Sequence, residues 1–281
     1  MEQFPNRALV LGAGGVVGTA WMAGLAAGLR EHGIDLAAAD LIVGTSAGAI
    51  VGAVLASERD PGELAEPRQP PPSTPQPPAP DPRTLGRVFA VLGDSETTPE
   101  LKRRRVGEIA LEMSAEDDAE HAERMRTLIG TAQWPDRLRV VAVDARWGQR
   151  RVFDRRDAAP LADVVVASRA MPGVYPPMTI GDSRYMDGGM HSATNADLAA
   201  GAELLVTIHP LAHLFPDTDL AAELQSARPA ESLLITPDER SVDAFGADLH
   251  DRAHWIPSFR AGFAQADTEA ARLQRIWPTP K

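Results

Sequence analysis

Residues 8–11, "ALVL", run apolar into a glycine-rich stretch, after which Trp21, Met22, Leu25, Ala26 and Leu29 recur at helical spacing as far as Gly33. The pattern predicts a strand, a tight turn and a helix. It repeats at once, with "LIV" at 41–43 as a second buried strand and Ala47 to Ala56 as a helix of small apolar residues with no polar face. Further along, "RLRVVAVDA" at 137–145 and "RRVFD" at 150–154 predict two strands joined as a hairpin around Gly148. Pro160 opens a short helix, "PLADVVVASRA", that stops near Pro172. A strand ending in "RYMDGG" follows, then a small-residue helix near Asn195 to Ala200, then strands at 203–208 and 232–236. The last forty residues read as helical up to Pro278. Strands alternating with helices predict the α/β class, with a mostly parallel sheet flanked on both faces.

One stretch interrupts this grammar. Residues 66–82 carry nine prolines and too few large apolar groups to join a core, which predicts an exposed extended loop. Polar, helix-favouring sequence continues to about residue 130, so 83–130 reads as a helical insertion placed to serve as a lid over the core. The expectation is one domain over 1–281 that contains both. Within the insertion, "KRRR" at 102–105 is interleaved with Glu100 and Glu108 and reads as a solvated helix face.

Composition narrows the chemistry. The formal net charge of −11 opposes general attraction to nucleic acid or anionic lipid. The absence of cysteine excludes disulfides, thiolate metal sites and a cysteine nucleophile. No apolar stretch approaches the roughly 18 residues of a membrane span and the N-terminus lacks a leader pattern, so a cytoplasmic location is the default expectation.

The second strand enters its helix through "GTSAG", in which Ser46 stands between Gly44 and Gly48. A turn this sharp lifts a hydroxyl out of the carboxyl edge of a sheet, and the following helix directs its N-terminal dipole at the same point. The plainer alternative is a serine that only caps its helix. A nucleophilic serine needs donors for an oxyanion, and the adjacent turn "LGAGGVVG" offers the Gly14 and Gly15 amides. Dinucleotide binding is the rival there, although Val17 stands where G-x-G-x-x-G requires its last glycine. Asp187 lies at a strand end, with Gly188 and Gly189 permitting close backbone approach, which makes it the candidate base. None of the seven histidines has a distinctive setting.

In this order, a glycine-rich turn, G-x-S-x-G and a distant D-G-G, the chain resembles the patatin-like phospholipases, bacterial lipid acyl hydrolases. "ASRAMPGVYPPM" at 167–178 looks like that family's serine- and proline-containing segment. The resemblance implies a three-layer α/β/α fold and a serine–aspartate dyad: Ser46 as nucleophile, Asp187 as general base, Gly14 and Gly15 as oxyanion hole. It implies a lipid or other acyl-ester substrate, no metal and no cofactor, and leaves room for peripheral membrane contact. Ala13 replaces the first of three family glycines and Val17 an arginine, so the amides are retained and the cation is not. Two alternatives stay open: a Ser-Asp-His hydrolase using a late histidine such as His209 or His254, and a non-catalytic binding module built on the glycine-rich turn.

Overall fold

In a computed structural model of the chain, residues 6–66, 81–113, 118–214 and 218–277 are described. Most of the proline-rich loop expected at 66–82 lies outside them. The elements run β1 (Arg7–Leu11), α1 (Gly15–Glu31), β2 (Leu41–Thr45), α2 (Ala47–Ala56), α3 (Pro82–Leu92), α4 (Pro99–Leu111) and α5 (Asp118–Ile129). They continue with β3 (Leu138–Asp144), β4 (Arg150–Phe153), α6 (Leu161–Ser168), β5 (Met178–Ile180), β6 (Ser183–Asp187), β7 (Leu204–Ile208), α7 (Thr218–Ala227), β8 (Glu231–Ile235), α8 (Glu239–Phe245) and α9 (Trp255–Leu273).

Strands β3, β2, β1, β7 and β8 lie side by side and parallel, while β4 and β6 run antiparallel to β3, and β5 to β6. The strand alternation sorts the core into two layers. Leu9, Leu11, Ile42, Val206 and Ile208 pack with α1, α2, α6 and α9. Ala8, Val10, Leu41, Val43 and Leu205 face the other way, onto α7 and the 3-10 turn Ala196–Ala199. The sheet is therefore mixed, mostly parallel and covered on both faces. At one end α3 and α4 set Val88, Val106 and Ile109 against Val143 and Met186.

Three features differ from the pattern-based expectation. The strand leading to Asp187 is a hairpin, β5 and β6, turning at Gly181, whose φ of 59° suits a residue without a side chain. The helix expected at Asn195 to Ala200 is a single 3-10 turn. Asn195 is left-handed at φ 56°, and the Glu223 carboxylate accepts from the Ala196 N–H and the Thr194 hydroxyl, which fixes the backbone in a turn. The basic cluster of α4 is not uniformly solvated: Lys102 donates to Leu92 O and Arg103 to Gly148 O, leaving Arg104 and Arg105 exposed.

Candidate active site

The strand register brings residues 46 and 187 together. Val141 of β3 pairs with Thr45 of β2 on one side and Val152 of β4 on the other. One residue later, Ala142 pairs with Arg151 of β4 and with Asp187 of β6. Since β4 keeps the same edge of β3 at both positions, β2 and β6 share the opposite edge, arriving from opposite directions and stopping head to head. The first residue past β2 is Ser46 and the last residue of β6 is Asp187. The Ser46 hydroxyl donates to Asp187 Oδ2 at 2.7 Å, with both residues buried, at 6% and 4% exposure.

Ser46 has φ 54° and ψ −114°, a conformation that L-residues rarely adopt and that costs about 1–3 kcal/mol. Two features hold it there. A Cβ on Gly48 would stand 1.9 Å from the Leu11 carbonyl oxygen, so only glycine lets α2 lie against the end of β1, where the Gly48 N–H donates to Gly12 O. Gly44, the other glycine of the motif, is crowded by the backbone of Gly48 and Ala49. The Ser168 hydroxyl accepts from the Ser46 N–H at 2.9 Å and donates to Val141 O at 2.6 Å. Sequence reasoning gave Ser168 no role, although a serine directly after the apolar run Val164 to Ala167 of α6 is a visible signal. Ser168→Ala would leave a buried N–H and a buried C=O without partners, and urea unfolding should show a loss of about 1–3 kcal/mol.

Asp187 accepts from the Gly189 N–H through Oδ1 at 2.7 Å as well as from Ser46. Gly188 admits the Val141 carbonyl, 2.3 Å from where its Cβ would sit, as the close-approach reading required. Gly189 works differently, through its N–H on the carboxylate. Burial pushes the Asp187 carboxyl up to about 6, against the opposing pull of the Ser46 and Gly189 hydrogen bonds and the Arg169 charge. A carboxylate at this level is ionised at neutral pH and still basic enough to hold a proton transiently.

The glycine-rich turn borders the same spot, with Ala13 against Gly189 and the Ala13 N–H on Ala193 O. Gly15 is left-handed at φ 63° and faces the Leu249 carbonyl, 2.6 Å from where a Cβ would be. That carbonyl caps α1 by accepting from Val16 and Val17 N–H. The N–H groups of Gly12, Ala13, Val16 and Val17 are thus all bonded, whereas those of Gly14 and Gly15 donate to no acceptor among the described residues. The same capping works against dinucleotide binding, because Leu249 O lies where a pyrophosphate would meet the helix start.

No histidine bonds to Ser46 or Asp187 in a contact seen among the described residues. His254 Nδ1 pairs with Ala244 O and His32 with Asp267, while burial, more than nearby arginines, lowers His250 and takes His191 down to about 4. The direct 2.7 Å contact leaves no room for an imidazole between Ser46 and Asp187. Among the described residues no group of three or more His, Asp or Glu is placed to hold a metal ion, and no helix is long and apolar enough to cross a membrane.

Comparison with known proteins follows the same lines. The family model described as Patatin-like phospholipase matches residues 9–69 and 80–200, spanning the glycine-rich turn, Ser46, Ser168 and Asp187. No curated protein matches the chain. Among solved structures, VipD from Legionella pneumophila shares the fold with a TM-score of 0.50 at 13% identity, over 95% of this chain and 67% of that one. The type III effector protein ExoU aligns with a TM-score of 0.39 at 15% identity, over 95% of this chain and 53% of that one, so this chain spans about half its length.

Proposed function

Since the chain belongs to the patatin-like phospholipase family, we propose that it is a lipid acyl hydrolase working through Ser46 and Asp187. The observation that carries this reading is the buried 2.7 Å hydrogen bond between the two side chains at the meeting point of β2 and β6. Ser46 Oγ attacks the ester carbonyl as its proton passes to Asp187 Oδ2, and the new C–O bond leaves the former carbonyl oxygen as an oxyanion. The Gly14 and Gly15 N–H groups receive that charge, each worth roughly 3 kcal/mol of transition-state stabilisation. Collapse breaks the ester C–O bond, and the departing alcohol or lysolipid takes the proton from Asp187. Water then attacks the acyl-serine, gives its proton to Asp187, and the fatty acid leaves as Ser46 Oγ is reprotonated. The strain at Ser46 and the desolvation of Asp187 are both costs to the fold that serve this chemistry.

The single-domain organisation and the covering role of 83–130 belong to the same proposal. Their support is that the insertion and Asp81, the residue that caps its first helix, rest on the loop just after Ser168: the Asp81 N–H donates to Gly173 O, the Gly173 N–H to Met113 Sδ, and Leu85 packs on Gly173. Cytoplasmic location and peripheral membrane contact remain part of this reading.

Turnover of short- and long-chain nitrophenyl esters tests the assignment. Ser46→Ala should abolish it, and near wild-type turnover would remove the nucleophile. The pH profile follows from Asp187. Its ionised form is the base, so kcat/KM should fall as pH drops through about 6. A flat profile between pH 5 and 8 would contradict a buried aspartate in that role.

A further inference from the structure

We propose that Arg169 is the residue with which this site recognises a negatively charged acyl ester, its guanidinium holding an anion such as a phosphodiester next to the ester that Ser46 attacks. The inference rests on the acyl-hydrolase reading above. The position where the resemblance implies an arginine cannot supply that cation, because Val17 is fully buried in the core and its N–H is taken by Leu249 O.

Arg169 is placed to supply it instead. Its neighbours on both sides are bonded to the two reacting residues: Ser168 Oγ accepts from the Ser46 N–H, and Ala170 O accepts from the Asp187 N–H at 2.9 Å. The backbone of residue 169 is therefore pinned beside the dyad. The half-buried side chain lies over the Tyr175 ring at 4.5 Å and donates through Nη2 to the Tyr175 hydroxyl at 3.1 Å. Tyr175 in turn meets His250 edge-on, with ring centroids 6.4 Å apart. His250 follows Leu249, whose carbonyl lies against Gly15, so this aromatic wall runs from the dyad to the glycine-rich turn.

Arg169 makes no ion pair with a carboxylate among the described residues, which sets it apart from the paired Arg150 and Arg103. It is also the charged group whose field reaches both Asp187 and His250. A guanidinium carries five N–H donors in a planar fork suited to phosphate or carboxylate oxygens, and here one bond to a phenol leaves most of that fork unused. Arg146, stacked on Trp147 in the β3–β4 turn, is bound to a ring in the same way but lies away from the dyad strand ends.

The test compares wild type, R169Q and R169K on phosphatidylglycerol and on diacylglycerol of the same chains, each in the same nonionic micelles. The readout is the ratio of kcat/KM for the charged lipid to that for the neutral one. R169Q should lower this ratio about 30-fold, and R169K should restore much of it. An equal loss on both lipids would make Arg169 only a clamp on Tyr175 or a tuner of Asp187, and would overturn the proposal. A binding arm needs no turnover: dodecyl phosphate binding to S46A should weaken about tenfold or more in S46A/R169Q, and unchanged binding would overturn the proposal as well. If neither lipid is hydrolysed and the binding difference is still found, the acyl-hydrolase reading fails and the anion site stands. Inorganic phosphate bound as tightly as dodecyl phosphate would place free phosphate there and refute the lipid assignment.

Discussion

Asp187→Asn is expected to lower kcat for ester hydrolysis by about 10,000-fold, the scale seen when a catalytic carboxylate loses its charge with its geometry kept. The same substitution should make the folded protein more stable. Wild-type Asp187 is raised from 3.8 to about 6 by burial, so in the pH range between those values the unfolded chain ionises while the folded one does not. The stability that the protonated group contributes is complete below pH 4, falls as pH rises to about 6, and stays lost above it. The loss amounts to about 3 kcal/mol at most, and asparagine removes it. Thermal melts at pH 8 should therefore place the variant several degrees above wild type, with the gap closing towards pH 4. A variant that is both inactive and less stable at pH 8 would point to misfolding and would contradict the electrostatic reading of Asp187.

Gly48→Ala should be severely damaging. The added carbon would stand 1.9 Å from Leu11 O and 2.4 Å from Leu11 C, both backbone atoms of a central strand that cannot move aside cheaply. A loss of about 4 kcal/mol or more is expected, or failure to fold. Gly52→Ala on the same helix is the contrast. Its nearest neighbours are side-chain methyls of Ile42 and Leu138 at 3.2 and 3.3 Å, which can adjust, and alanine improves helix propensity by about 1 kcal/mol. Urea unfolding should therefore show Gly52→Ala within about 1 kcal/mol of wild type. Similar losses at both positions would mean that α2 does not depend on close approach to β1 at residue 48.

Which parts of this could be read from the sequence follows from the range of the forces involved. The strands at 7–11, 41–45, 138–144 and 204–208 were legible because each is a short apolar run between turn residues, and the buried character of α2 because it has no polar face. Ser46 was legible because G-x-S-x-G encodes a local backbone requirement, and Asp187 because its glycines do. Sequence also suggested that the two meet at a sheet edge, but not how. The sharing of one edge of β3 by β2 and β6 is a matter of register between strands that are remote in the chain, Thr45 with Val141 and Ala142 with Asp187, which no local pattern records. Ser168, the Leu249 carbonyl on α1 and the Glu223 carboxylate on the 195–196 turn were hidden for the same reason. Each is a polar group whose partner lies far away in the chain. Arg169 was hidden in another way: "ASRAMPG" drew notice to the segment, and only the contacts of Ser168 and Ala170 on either side show what its arginine lies beside.

Labelling with a fluorophosphonate, followed by peptide mapping, tests the central assignment most directly, because the probe reports a nucleophilic serine without requiring the substrate to be known. A reactive Ser46 supported by Asp187 predicts one modified peptide, spanning residues 41–53, with labelling nearly abolished in Asp187→Asn. Labelling elsewhere, or an unlabelled Ser46 in folded protein, would contradict it.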